Sequence, residues 1–153
     1  MKRGRLTMAM AGAAGLIGAV FIAQGAYMPA KATLAQHMLE KAWAEAVIGG
    51  DAVRPWSWAD AHVMGELRAP DHDARAIILS EASGEALAFA PGHLSHTPAP
   101  GERGVSVIAA HRDTHFKFLR NIALGDTIEI TDLTGVRRRF IVEETRIVDA
   151  RAP

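Results

Sequence analysis

The 153-residue sequence contains no cysteine. Disulfides, thiolate metal sites and thiol nucleophiles are therefore all excluded from these residues. There is also no surplus of charge, because 17 basic side chains balance 17 acidic ones. A protein that tracks a polyanion carries a basic excess, so nucleic acid is not expected as a partner. No internal repeat or low-complexity tract is present. Apolar residues reach 49%, a figure raised by alanine and by one N-terminal run, so it does not describe a wholly apolar core.

That run is the first positive feature. Lys2, Arg3 and Arg5 precede an uncharged stretch over residues 6–28, whose only polar side chains, Thr7 and Gln24, lie near its ends. As a helix it spans roughly 35 Å, enough to cross a bilayer core with some tilt. Basic residues ahead of it favour a cytoplasmic N-terminus, with the rest of the chain exported. A cleaved signal peptide is the rival reading. Cleavable apolar cores are shorter, about 7–15 residues, so an uncleaved anchor over 1–28 is favoured. About 120 residues remain, enough for one small domain.

Residues 31–48 read as an alanine-rich helix, with Leu34, Met38 and Ala42 on one stripe and Leu39, Trp43 and Ala46 beside it. Gly49-Gly50 stops it. A linker follows, in which Pro55 forces extended backbone and Trp56 and Trp58 alternate. The pair reads as pinning the linker to the domain, ahead of a sugar-stacking platform. The organisation is thus an anchor at 1–28, a juxtamembrane helix and linker at 29–61, and a domain at 62–153.

Within the domain the period changes to that of strands. Val63, Gly65 and Leu67 alternate with Met64, Glu66 and Arg68. Further strands are expected at 74–79, 104–110, 127–131, 136–142 and 145–148, with a turn at 132–135. Short helical pieces are expected at 84–89 and 116–122. Arg137-Arg138-Arg139 lies in a strand, so its side chains should alternate between faces. The pattern predicts a mainly β sandwich or barrel. Residues 91–104 form a long loop, and loops of that length are often functional.

The chemistry concentrates at Val107-Ile108-Ala109-Ala110-His111-Arg112-Asp113-Thr114-His115-Phe116. An apolar strand delivers His111 at its end, where the strand fixes the imidazole and the loop leaves it accessible. Histidine suits acid–base work because its free pKa is about 6.5. This run resembles the sortase family, in which a strand ends in Ala-Gly-His-Arg or a close variant. The pattern His-Arg-Asp-Thr-His-Phe followed by Phe118-Leu119 is similar to the Gram-negative-type branch. Pro55–Asp60, residues 82–89, Pro91-Gly92-His93-Leu94 and Leu124-Gly125-Asp126 agree in order and spacing, so the likeness covers about residues 54–148.

The resemblance implies a closed β-barrel and a cysteine transpeptidase. Such an enzyme cuts a C-terminal sorting signal of an exported protein, holds the fragment as a thioester, and passes it to an amine. His111 matches the catalytic histidine, with supporting roles for Asp113 and His115. No cofactor and no metal are implied. Ala110 replaces the usual glycine before the histidine. The family's Thr-Leu-x-Thr-Cys strand and its later arginine have no counterpart here. The expectation is a partial sortase-like barrel lacking its C-terminal strands, at the inner membrane and inactive as it stands.

Two alternatives stay open. One is a non-catalytic membrane-tethered β-domain or pseudoenzyme. The other is a metal site at His93, His96, His111 and His115, which supply H-x2-H and H-x3-H spacings but lack a zinc motif with an accompanying base.

Overall fold

The computed structural model describes residues 2–148. The chain divides into two compact units, residues 1–36 and 37–153. A single helix, α1, runs from Lys2 to Gly49 with Pro29 inside it. The expected anchor and juxtamembrane helix thus lie along one continuous helix. Next to the proline, the Thr33 hydroxyl donates to the Pro29 carbonyl at 3.0 Å. Among the described residues no helix is long and apolar enough to cross a membrane, so the expected transmembrane span finds no support there. The side chains at 6–11, 13, 14 and 28 of the uncharged run lie outside the described set.

In the second unit, Leu39, Ala42 and Ala46 of α1 form the buried stripe, at the spacing of one helix face. Trp56 is buried and its ring meets Phe89 edge-on with centroids 5.2 Å apart. Trp58 is 71% exposed. Only the first tryptophan pins the linker.

The domain is mainly β. Its strands are β1 (Val63–Ala69), β2 (Ala74–Leu79), β3 (Gly92–His93), β4 (Ile108–Ala109), β5 (Thr127–Asp132) and β6 (Arg137–Ile141). They form one sheet in the order β4-β3-β2-β1-β5-β6, leaving β4 and β6 at its edges. Neighbours are antiparallel except β2 and β3, which are parallel. That parallel step is bridged by α2 (Gly84–Leu87), whose first turn is capped by Ser83 accepting from the Ala86 amide. Leu67, Ala69, Ile78, Phe118 and Ile130 make the core cluster.

One expected strand is cut short and another is missing. Residues 104–107 stay outside β4, and 142–148 carry no regular strand. Conversely, the two-residue β3 lies inside what reads as loop. Its pairing with Leu79 and Ala109 is set by distant partners rather than by local pattern.

One face of the sheet is ionic. Arg75, Arg68, Glu129 and Arg139 stand in register across β2, β1, β5 and β6. Glu66 is only 5% exposed. It accepts from Arg68 Nε at 2.6 Å and from Arg75 Nε. Arg75 also reaches Glu40 of α1, with Nη2 to Oε2 at 2.9 Å. Burial pushes the Glu66 carboxyl up, but the two guanidiniums outweigh it and hold the group below its usual range. Glu66→Ala is expected to cost about 2–3 kcal/mol in chemical denaturation. That is less than the roughly 3–5 for one partner of a fully buried pair, because both arginines reach solvent.

On β6 the arginines alternate as expected. Arg137 and Arg139 both face Glu129, and Arg138 pairs with Asp132 at 2.5 Å. Asp132 also holds the β5–β6 turn, accepting from the Thr134 amide, Thr134 hydroxyl and Val136 amide. Gly135 takes the left-handed φ of +78° that closes this turn. Burial opposes ionisation of Asp132, but Arg138 and the turn donors bring its pKa down to about 2. A depressed carboxylate stabilises the fold above its unfolded pKa, about 3.9 for aspartate, and loses that contribution as pH falls towards the folded value. An acid titration of stability should therefore drop less steeply between about pH 4 and 2 in Asp132→Asn than in the parent.

Candidate active site around His111

The site is assembled by the short edge of the sheet. Leaving β2, the chain passes through α2 and returns at β3, where the Leu79 amide donates to the Pro91 carbonyl at 2.8 Å. Gly92 then pairs with Ala109, and His93 with Ile108. His93 is buried, with Nε2 lying 3.0 Å from the Pro98 carbonyl and 3.1 Å from Thr97 Oγ1. Thr97 Oγ1 in turn donates to the Leu94 carbonyl and accepts from the Val107 amide. His93 thus ties down the loop that precedes β4. Among the described residues no three histidine or carboxylate side chains come together as a metal site. The four-histidine metal alternative is not assembled.

β4 ends at Ala109, and His111 follows two residues later at the sheet edge. Its carbonyl accepts from the Thr114 amide at 3.3 Å and the Phe116 amide at 3.2 Å, which fixes the turn. The imidazole is exposed, and no hydrogen bond to it is formed among the described residues. A rigid main chain thus carries an accessible imidazole, the arrangement a general acid–base requires.

The two supporting candidates lie in the same turn but face different partners. Asp113 is exposed and accepts from Arg120 Nη2 at 2.5 Å, with Arg112 Nε at 3.8 Å. His115 is half-buried, close to the Phe89 main chain. Burial pushes the His115 pKa down, the bond to Phe89 opposes this, and the charge of nearby His111 lowers it further.

Beside this turn lies a concavity of about 1030 Å³, lined by Arg112, Phe116, Leu119, Arg120, Ile128 and Phe140 among others. The 3₁₀ turn Lys117–Arg120 supplies part of its wall. Phe118 from that turn is buried in the core, its ring 5.8 Å from Phe116 and edge-on to it. Sequence reasoning missed Arg120 as the partner of Asp113. It also missed the pair His72–Asp126, whose Nε2 and Oδ2 are 2.7 Å apart across 54 residues of chain. No local pattern signals either contact.

A family model described as the sortase domain matches residues 67–152. The chain belongs to the sortase family. Solved sortases agree with this at the level of architecture. Sortase A from Corynebacterium diphtheriae is similar with 26% identity and a TM-score of 0.51, over 57% of this chain and 43% of that one. The chain thus spans less than half the length of that structure. A sortase D5 transpeptidase from Clostridium perfringens aligns with a TM-score of 0.59 at 19% identity, covering 73% of each chain. Sortase C from the same organism, solved with the C-terminal cell wall sorting motif, aligns with a TM-score of 0.53 at 19% identity over 80% of this chain and 70% of that one. These last two speak for the fold. No curated protein sequence matches the chain. None of the 153 residues is a cysteine.

Proposed function

We propose that the chain is the histidine-bearing portion of a Gram-negative-type sortase, a cysteine transpeptidase acting on exported proteins with a C-terminal sorting signal. The observation that carries this reading is the free, exposed imidazole of His111 at the end of an edge strand in a sortase-family sheet. In the proposed reaction a thiolate attacks the scissile carbonyl and forms a thioester as the amine of the C-terminal fragment departs. His111 protonates that departing amine, then takes a proton from the incoming amine as the new amide forms and the thiolate is released. The sulfur comes from a cysteine-bearing strand that is not among these 153 residues. Arg112 and Arg120, held by Asp113, flank the adjoining concavity.

The proposal also places the protein in the inner membrane through its N-terminal helix, with the sheet on the periplasmic side. Lys2, Arg3 and Arg5 ahead of the uncharged run support that orientation. The missing cysteine favours a second reading, a pseudoenzyme that binds sorting signals without cutting them.

The reaction type is tested by joining the chain to a sortase segment carrying the Thr-Leu-x-Thr-Cys and arginine strands. This protein is then supplied with a sorting-signal peptide and a primary amine. Mass spectrometry should find the N-terminal peptide fragment joined to the amine. Recovery of intact peptide in a folded, thiol-bearing protein would favour the pseudoenzyme.

A further inference from the structure

Leu124-Gly125-Asp126, at the entry to β5, is clasped from two sides. Gly125 bends the chain there with a left-handed φ of +91°. The Asp126 carboxylate closes the bend, its Oδ2 accepting from the Ala123 amide at 2.8 Å. The same oxygen lies 2.7 Å from His72 Nε2. A carboxylate only accepts, so the imidazole N–H is the donor. Beside it, Asp71 Oδ2 accepts from the Thr127 amide at 3.1 Å. Asp71 and His72 belong to the 3₁₀ turn Pro70–His72, between β1 and β2. From the other side the Gly125 amide donates to the Val142 carbonyl at 2.8 Å, and the Val142 amide to the Asp126 carbonyl at 2.9 Å.

His72 has a second contact. Its ring is tilted against that of Phe118, with centroids 6.1 Å apart. Phe118 meets Phe116 edge-on, and the Phe116 amide donates to the His111 carbonyl at 3.2 Å. Phe116, Ile122 and Ile128 line the concavity next to the His111 turn. All three also pack on the core cluster that contains Phe118, and the clasped bend falls between the two isoleucines. Between β4 and β5 the chain forms no strand. This wall therefore takes its position from side-chain contacts rather than from a ladder.

We propose that His72 is a positioning residue: bonded to Asp126 and packed on Phe118, it fixes the Phe116–Ile122–Ile128 wall against which a peptide beside His111 lies. The inference rests on the transpeptidase reading only for what meets the wall. The two contacts have separate parts. A hydrogen bond to an ionised acceptor is about twice as strong as a neutral one, and it holds the bend. The ring contact sets the orientation of Phe118 and, through it, of Phe116. A binding surface is precise only when the side chains behind it are themselves locked.

The test uses the full chain, labelled with ¹⁵N and ¹³C in detergent micelles, with its seven histidines assigned by single His→Gln variants. In the parent, the His72 ring N–H should exchange slowly and the ring should show Overhauser contacts to Phe118. His72→Ala should move the Phe116 and Ile128 side-chain resonances. It should also speed exchange of the Ala123 and Phe116 amides by about tenfold or more, while the β1–β2 ladder keeps its rates. His72→Gln keeps a donor for Asp126 without the ring, so it should restore the Ala123 amide and leave the Phe116 resonances displaced. His72→Phe keeps the ring without the donor and should do the opposite.

Unchanged Phe116 and Ile128 resonances in a folded His72→Ala protein would overturn the proposal. So would a loss of protection spread evenly over the sheet, which marks a purely structural role. If that variant does not fold, the parent decides the matter. A His72 ring N–H that exchanges as fast as that of His111, with no contact to Phe118, rules the clasp out. A wall indifferent to His72 would leave the transpeptidase reading intact, since His111 can act beside a wall fixed by other means. A wall that follows His72 in a protein where His111 proves dispensable would uphold the clasp and remove that reading.

Discussion

The 153-residue chain by itself should turn over no sorting-signal peptide, with product formation indistinguishable from a buffer control. Acyl transfer by this route needs a nucleophile that is partly ionised near neutral pH, and thiols provide it because their pKa lies near 8.5. No cysteine is present. The hydroxyl nearest the histidine in sequence, Thr114 Oγ1, lies 3.4 Å from the His111 carbonyl. A hydroxyl spent on a main-chain oxygen has no imidazole to activate it. His111 can move protons, but proton movement without a nucleophile supplies only a small part of the rate. A fluorogenic sorting-signal peptide followed for a day measures this, and a signal abolished in His111→Ala would show that the chain has a nucleophile this account overlooks.

Gly92→Ala is expected to have the largest effect on stability, about 3 kcal/mol or more. The space for a side chain at this position is taken by main chain. A Cβ there would lie 2.2 Å from the Glu81 carbonyl oxygen and 2.7 Å from Ala82 Cα. Neither atom is the end of a flexible side chain, so the β2 exit or β3 itself has to move. Overpacking of an ordinary core costs about 1–3 kcal/mol, and rigid backbone on both sides puts this site at the upper end or beyond. The damage should also be local to the functional edge, because Gly92 pairs directly with Ala109, two residues before His111. Thermal unfolding and His111 amide exchange report the two consequences separately. By contrast, the atoms nearest a Cβ at Gly101 belong to the flexible Arg138 side chain, although its φ of +94° adds backbone strain.

Much of the sheet could be read in advance because β1, β2, β5 and β6 obey local rules. Alternation in 63–68 and 127–131 falls on β1 and β5, and the Asp-Leu-Thr-Gly turn closes on its own aspartate. The strand-end position of His111 was legible for the same reason. What failed depends on distance. β3 exists only because β2 and β4 approach it from either side. Glu66 reads as a solvent-facing position of β1, yet it is buried. Two arginines, one of them anchored from α1 by Glu40, make a carboxylate tolerable there. The helix runs on through Pro29, and the alanine-rich sequence beyond it has high helix propensity. Asp113 and His115 were singled out by adjacency to His111. Their neighbours, Arg120 and the Phe89 main chain, could not be inferred from spacing.

The central claim concerns the role of one imidazole, and one rate ratio tests it. In a folded protein that joins this chain to the cysteine- and arginine-bearing strands, sorting-peptide cleavage should fall by about 10²–10⁴-fold in His111→Ala, with His93→Ala judged separately by its effect on folding. Equal cleavage rates with and without the imidazole at position 111 would contradict the account.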